Sequence, residues 1–277
     1  MKCIDFDKEF QRYMTAWLKE HSKEYKNMDA VEAKIADIYQ EFLEKEASWL
    51  GGLCPGDYFE QYDNAKQLVN HMEDYYKQRI PVPDMLLNRI TELRLEAEEP
   101  LMALLTKERA PAEARMTAVE MLREIESVKP LPLYIEWIKN RSGREDELAD
   151  NALESLEDMG EAAVQAMRAA LSEANDAGAF AFCSLLCHYG DSDEQVLSVM
   201  LRLFETHAEY RAELADYLGK LGNEKALDIL KKTAASEETG YLDYIELRNA
   251  IERLGGDAPE REFDAEDPAW NAMRGMQ

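Results

Sequence analysis

One pattern recurs six times between residues 81 and 256: an apolar stripe of helical spacing that ends at a fixed position, here named the stop. The six stops are Arg94, Glu126, Gly160, Gly190, Gly222 and Gly255. Successive stops lie 30 to 34 residues apart, a period that is typical of stacked helical hairpins. Four stops are glycine, which suits a helix that ends in the left-handed backbone conformation. We therefore expect six helices that each end at a stop.

The apolar stripe keeps the same register in every copy. Counted from the residue eleven before each stop, offsets 3, 4, 7 and 10 are apolar in all copies except at Arg248. These offsets share one side of a helix with 3.6 residues per turn. A second apolar segment follows five of the stops, at 100–105, 131–138, 163–171, 196–204 and 226–230. Each copy thus predicts two antiparallel helices that bury their faces only when copies stack.

Composition agrees with an all-α fold and limits the choice of partner. The chain has 277 residues, 46% of them hydrophobic, and only 13 Gly and 9 Pro. Its 57 acidic and 32 basic residues give a formal net charge of -25, which repels phosphate groups and anionic membrane surfaces. We therefore expect no nucleic-acid or membrane partner, and favour a basic protein or peptide.

Residues 1–80 depart from the repeat register and hold 13 of the 25 aromatic residues. Helical spacing predicts three helices there, over 6–17, 31–42 and 57–79. We interpret this region as an aromatic-rich helical cap on the repeats, with a separate ligand-binding domain as the alternative. Residues 257–277 are predicted to form a loose acidic tail or a strap. The strap is favoured because two large aromatics, Phe263 and Trp270, would otherwise be left in water.

The stretch SWLGGLCPGDYF (residues 48–59) could be a reactive loop or a turn within the cap. Cys54 has no His in a recognisable nucleophile motif, so we favour a turn whose aromatic residues, Trp49, Tyr58 and Phe59, pack on neighbouring helices. Whether this loop functions stays open. The N-terminus lacks the apolar run of a signal peptide, so we expect a soluble, cytoplasmic protein with reduced thiols.

No strong catalytic or metal-binding motif occurs in the sequence. Cys183, Cys187 and His188 are a weak zinc candidate, but Cys183 falls on the buried stripe and His188 on another side of the helix. A buried structural thiol is the better interpretation. We therefore predict no catalytic residue, no metal and no cofactor.

Two segments carry a resemblance to a known repeat family. EARMTAVEMLREI (residues 113–125) and RAELADYLGKLGNEKALDIL (residues 211–230) resemble HEAT and HEAT-like repeats of the PBS-lyase type, with the pattern V-R-x-x-A-A-x-A-L-x-x-L-G. Arg115 and Arg211 fill the arginine position. The other copies have Pro83, Ala149, Ala179 and Tyr244 there. The resemblance implies an ARM-like α-α superhelix of five to six degenerate repeats over residues 81–256.

Offsets 5 and 9 lie opposite the apolar stripe, and we name them the outward positions. In HEAT-like proteins the corresponding helix lines the concave face, so the resemblance implies an acidic groove. Its candidate binding residues are Glu92, Glu120, Glu124, Glu154, Asp158 and His188. We predict a non-catalytic interaction or scaffold module that docks a basic partner segment there. The alternative is an ordinary solvated face of an acidic protein.

Two further functions occur within the same repeat family. One alternative is an enzyme or chaperone of a small ligand, similar to bilin lyases. Only the resemblance of the repeats supports it. The resemblance also admits a protein similar to alkylpurine DNA glycosylases, but these need a cationic groove, which the acidic outward positions oppose. The oligomeric state and the identity of the partner stay open.

Overall fold

The structure is a computed structural model that describes residues 1–21, 25, 28–189, 193–263 and 267–274. Within these residues every regular element is a helix, and no strand occurs. The predicted all-α class is therefore confirmed. None of the described helices has the length and apolar character needed to cross a membrane. The chain divides into two compact units, Met1–Pro130 and Leu131–Gln277, and each is described by itself.

The first unit contains seven of the described α-helices. They are α1 (Phe6–His21), α2 (Met28–Glu32), α3 (Ile35–Glu44), α4 (Ala65–Gln78), α5 (Asp84–Glu92), α6 (Leu95–Leu105) and α7 (Ala112–Glu124). Helix α4 is central, because it packs against α5, α6 and α7, while α6 also packs against α7. Helix α1 packs against α3 at the N-terminal side of the sequence.

The second unit contains nine described α-helices. They are α8 (Leu131–Lys139), α9 (Glu147–Met159), α10 (Glu161–Leu171), α11 (Asp176–Leu186), α12 (Glu194–Thr206), α13 (Arg211–Leu221), α14 (Leu227–Ala234), α15 (Tyr241–Arg253) and α16 (Pro268–Arg274). Helix α8 packs against α9, α10 and α11, and α13 packs against α11, α12 and α15. Most sequential helices of this unit are therefore also neighbours in space.

The backbone confirms where the repeat helices end. Positive φ angles occur at Arg94 (46°), Glu126 (59°), Gly160 (57°), Gly222 (74°) and Gly255 (77°), which are five of the six predicted stops. The sixth stop, Gly190, lies outside the described residues. Helices α5, α7, α9, α11, α13 and α15 precede the stops, and the predicted second segments fold as α6, α8, α10, α12 and α14.

Burial confirms the register of the stop-ending helices. At offsets 3 and 7, every copy has a side chain that is 1% exposed or less. These twelve residues are Leu86, Ile90, Ala118, Leu122, Ala152, Leu156, Phe182, Leu186, Leu214, Leu218, Leu247 and Ile251. Arg248, the one exception to the apolar pattern, is exposed. The buried side of each helix is therefore fixed by the same two positions.

Two helices of residues 1–80 differ from the prediction. The helix predicted over 57–79 begins only at Ala65, because the side-chain oxygen of Asn64 accepts a hydrogen bond from the amide of Gln67 and caps the helix there. The preceding residues form tight turns instead. The pattern over 31–42 is split by a turn at 33–34 into α2 and α3. The aromatic spacing therefore predicted too early a start for the helix that the structure shows as α4.

The stretch at 48–59 folds as a turn packed on α1. Gly51 and Gly52 have φ angles of 70° and 96°, which let the chain reverse. The ring of Phe6 lies 5.8 Å from that of Trp49 and 6.0 Å from that of Phe59. Phe6 and Phe59 are buried, whereas Trp49 is 42% exposed. The predicted turn and its packing are confirmed.

The described part of the C-terminal segment lies against α15. The ring of Phe263 is 5.1 Å from that of Tyr241, and the ring of Trp270 is 5.0 Å from it. All three side chains are half-buried by these contacts. Two acidic residues of the predicted tail, Asp264 and Glu266, lie outside the described residues.

Hydrogen bonds attach the same segment to the first turn of α15. The hydroxyl of Tyr244 donates to the carbonyl of Pro259 at 2.9 Å, and the carboxylate of Asp267 accepts from the amide of Tyr241 at 2.8 Å. This is the arrangement of a strap. The extents predicted for the cap, the repeats and the tail stay predictions.

Candidate functional site

The outward positions hold every residue that the sequence proposed for binding. All six candidates are exposed, with three in the first unit and three in the second. They are Glu92, Glu120, Glu124, Glu154, Asp158 and His188. Because offsets 3 and 7 are held in the core, offsets 5 and 9 must face away from it at 100° per residue. Their exposure follows from the register, and their use in binding stays a prediction.

Among these residues, the acidic side chains concentrate on α5, α7 and α9. In the first unit, Glu120 and Glu124 lie one turn apart on α7, and Glu92 of α5 accepts from Arg89 at 3.0 Å. Helices α5 and α7 pack against each other, so these carboxylates belong to one compact unit. In the second unit, Glu154 and Asp158 repeat the same one-turn spacing on α9. Each unit thus presents closely spaced carboxylates to solvent.

The charged side chains at the outward positions of α13 and α15 form ion pairs with one another. Lys220 and Arg253 both lie 2.9 Å from carboxylate oxygens of Asp216. Burial alone would raise the pKa of Asp216, but hydrogen bonds from these two cations outweigh it and hold the pKa below its usual range. Asp216 is therefore ionised and already paired. The outward positions of these two helices thus hold two cations and one carboxylate.

The structure brings a cysteine and a histidine together, but the cysteine is not Cys54. The thiol of Cys54 donates to the carbonyl of Glu44 at 3.1 Å. His71 instead faces Cys3, with 3.9 Å between Sγ and Nδ1, and both side chains are buried. Burial raises the pKa of Cys3 and lowers the pKa of His71, so both are held neutral. This pair lacks the thiolate that a nucleophilic cysteine needs.

The sequence pattern could not reveal this contact, because 68 residues separate Cys3 from His71. Only the folding of the N-terminal residues onto α4 joins them. The hydroxyl of Tyr75 shows the same attachment, since it donates to the carbonyl of Ile4 at 3.0 Å. The Cys3 and His71 pair therefore belongs to the packing of the N-terminus.

The three residues of the weak zinc candidate lie in different environments: Cys183 and Cys187 are buried, and His188 is exposed. Cys183 and Cys187 are 0% and 2% exposed, whereas His188 points to solvent, as its offset predicted. Burial raises the pKa of Cys183, and it raises that of Cys187 to about 11. In the part of the chain that the structure describes, no three His, Cys, Asp or Glu side chains cluster as metal ligands would.

A cavity between α4 and α6 escaped the sequence pattern. At its edge lies Glu73, whose side chain is only 3% exposed and contacts two lysines. A buried carboxylate on a helix with no repeat register gives no periodic signal. Pro100 lies inside α6 and lines the cavity, which is an unusual position for a proline in a helix.

The fold and its surface define a class: an all-α protein of paired helices in a shared register, with carboxylates at its outward positions. The chain matches no family model, no curated protein and no solved structure. The resemblance to HEAT-like repeats therefore rests on the residues of the two best copies.

Proposed function

We propose that this chain is a degenerate HEAT-like repeat protein that works without catalysis as an interaction module. In this proposal the acidic outward positions dock a basic segment of a partner protein. The observation that carries it is the exposure of all six candidate residues on helices whose opposite side is fixed in the core. A rigid helix presents its charges at a constant spacing, which a flexible acidic tail does not.

The strongest docking is expected at Glu120 and Glu124 of α7 and at Glu154 and Asp158 of α9. The outward positions of α13 and α15 contribute less, because they hold two cations, Lys220 and Arg253, against one carboxylate, Asp216. Single exposed ion pairs contribute only about 0.2 to 1 kcal/mol, so affinity needs several of them at once. The net charge of -25 adds long-range attraction for a basic partner.

A defined basic probe tests the proposal. A fluorescently labelled nonalysine peptide is titrated with the full-length protein, and the dissociation constant is measured by anisotropy at two salt concentrations. We expect charge reversal at Glu120→Lys, Glu124→Lys, Glu154→Lys and Asp158→Lys together to weaken binding about tenfold, from four lost pairs. Higher salt should weaken binding of the unmodified protein, since exposed charges are screened within about 10 Å at 0.1 M.

The matched control reverses four other carboxylates and so changes the net charge equally. Glu60, Glu108, Glu157 and Glu205 are all exposed and occupy no outward position. Their reversal to lysine should weaken binding by less than threefold. Equal weakening by both variants would show that net charge alone attracts the peptide and would end the docking proposal. Thermal unfolding of each variant checks that the fold is kept.

A further inference from the structure

The cavity between α4 and α6 has the size of a small-ligand site. Its volume is about 420 Å³, and it lies within the first unit. Ligand pockets commonly span about 300 to 1,000 Å³. Val69, Pro100 and Leu104 give it apolar walls, and Lys66, Asn70 and Lys107 provide donors at its edge. An apolar interior with a few polar groups is the usual composition of such sites.

An ion cluster around the buried carboxylate of Glu73 holds one of these donors in place. The ammonium groups of Lys77 and Lys107 lie 2.9 and 2.7 Å from the two carboxylate oxygens of Glu73. Burial alone would raise the pKa of Glu73, but hydrogen bonds from both lysines hold it below its usual range. Both lysine side chains are nearly half exposed, so these ion pairs add little to stability. What this cluster does provide is a fixed ammonium group, that of Lys107, beside the cavity.

A second ammonium group, that of Lys66, lies beside the cavity. Lys66, Asn70 and Glu73 are spaced four and three residues apart on α4, so they lie on one side of that helix. Within the described residues Lys66 makes no ion pair. The carboxylate of Glu99, which also lines the cavity, contacts the ammonium of Lys129 instead. The donors left for a ligand are therefore Lys66, Asn70 and Lys107.

We propose that this cavity binds a small amphipathic carboxylate, whose apolar body lies between α4 and α6 and whose carboxylate accepts from Lys66 and Lys107. A cationic ligand is disfavoured, because both oxygens of Glu73 are already contacted by lysines and Glu99 by Lys129. A neutral apolar ligand would leave the ammonium of Lys66 unused.

Four probes with eight carbon atoms each, which differ in their polar group, test this assignment. Octanoate, octyl phosphate, octylamine and octanol are each titrated into the full-length protein by isothermal calorimetry. We expect octanoate to bind with one-to-one stoichiometry and at least fivefold more tightly than octylamine or octanol. Absence of octanoate binding, or equal binding of all four probes, overturns the proposal. Binding of octyl phosphate with no binding of octanoate overturns it as well.

Substitutions locate the binding to this cavity. Lys66→Met removes the ammonium group but keeps most of the side chain, leaves the ion cluster of Glu73 intact and should weaken octanoate binding at least fivefold. Lys8→Met is the matched control, because Lys8 is an exposed lysine of α1 whose side chain is away from the cavity lining. Lys107→Met should weaken binding too, and thermal unfolding checks that it still folds. Unchanged affinity in both Lys66→Met and Lys107→Met overturns the proposal.

Discussion

The stop-ending helices and the N-terminal aromatic region bury their apolar side chains in different ways. In the stop-ending helices, the same two offsets supply a fully buried residue in every copy. In α1 and α3, large rings contact one another without a common register, and several stay half-buried, among them Phe10, Tyr13 and Tyr39. A repeated register fixes helix rotation by position, whereas an aromatic cluster fixes it by the fit of particular rings.

The repeated register lets the backbones of packed helices approach each other closely. A substitution of a glycine at such a contact should have the largest effect on stability. A Cβ on Gly178 of α11 would lie 2.3 Å from the carbonyl oxygen of Ile138 in α8. Since backbone atoms must move to admit it, Gly178→Ala should cost about 3 kcal/mol of unfolding free energy. Denaturant unfolding measures the loss. Gly143→Ala is the matched control, because a Cβ there meets nothing within 4 Å; equal effects would refute the close approach.

The aromatic region should show a smaller and more local effect. Phe6 is 4% exposed and its ring contacts those of Trp49, Tyr58 and Phe59. Phe6→Leu keeps an apolar side chain but loses these ring pairs, so we expect a loss of about 1.5 kcal/mol. Hydrogen exchange should rise in residues 1–64 before it rises in α11 and α13. A uniform rise along the chain would contradict separate modes of packing.

Helix caps distinguish the two regions by their response to pH. Burial alone would raise the pKa of Asp146, the cap of α9, but hydrogen bonds from Ser142 and Ala149 hold it below its usual range. Its stabilisation is therefore complete above the ordinary pKa and is lost as pH falls through the lowered one. Asn64, the cap of α4, carries no charge.

Substitution of each cap by alanine makes this comparison measurable. Asp146→Ala and Asn64→Ala should each cost about 1 kcal/mol at pH 7. From pH 5 down to pH 3, the cost of Asp146→Ala should shrink while that of Asn64→Ala stays constant. Urea unfolding at several pH values records both. A constant cost for Asp146→Ala would show that its charge adds nothing to the cap.

The smallest effect is expected at a stop that is not glycine. Arg94 has φ 46° and ψ -117°, close to the φ 57° and ψ -132° of Gly160, and only glycine adopts this conformation easily. Arg94→Gly should therefore raise the unfolding free energy by about 0.5 to 1 kcal/mol. Gly160→Ala is the reverse change and should lower it. A loss on Arg94→Gly would mean that the arginine side chain stabilises the fold more than its backbone strains it.

The repeated part of the fold was predictable because its signal is periodic. Offsets 3 and 7 and the stops specified both the buried side and the end of each helix, and the structure agrees at every described stop. The start of α4 was not predictable from aromatic spacing, since the side chain of Asn64 decided it locally. The same limit applies to Glu73, which packs beside Lys107 from 34 residues away. A single contact between residues 34 positions apart produces no periodic pattern in the sequence.

The strap on α15 also changes what that helix exposes to its surroundings. The ring of Trp270 lies against Tyr241, and the ring of Phe263 lies against Tyr244. An uncovered apolar face at the end of a stack of helices is a surface on which another chain can add. By placing its own aromatic side chains on α15, the chain covers apolar surface that would otherwise be open to solvent or to a second molecule.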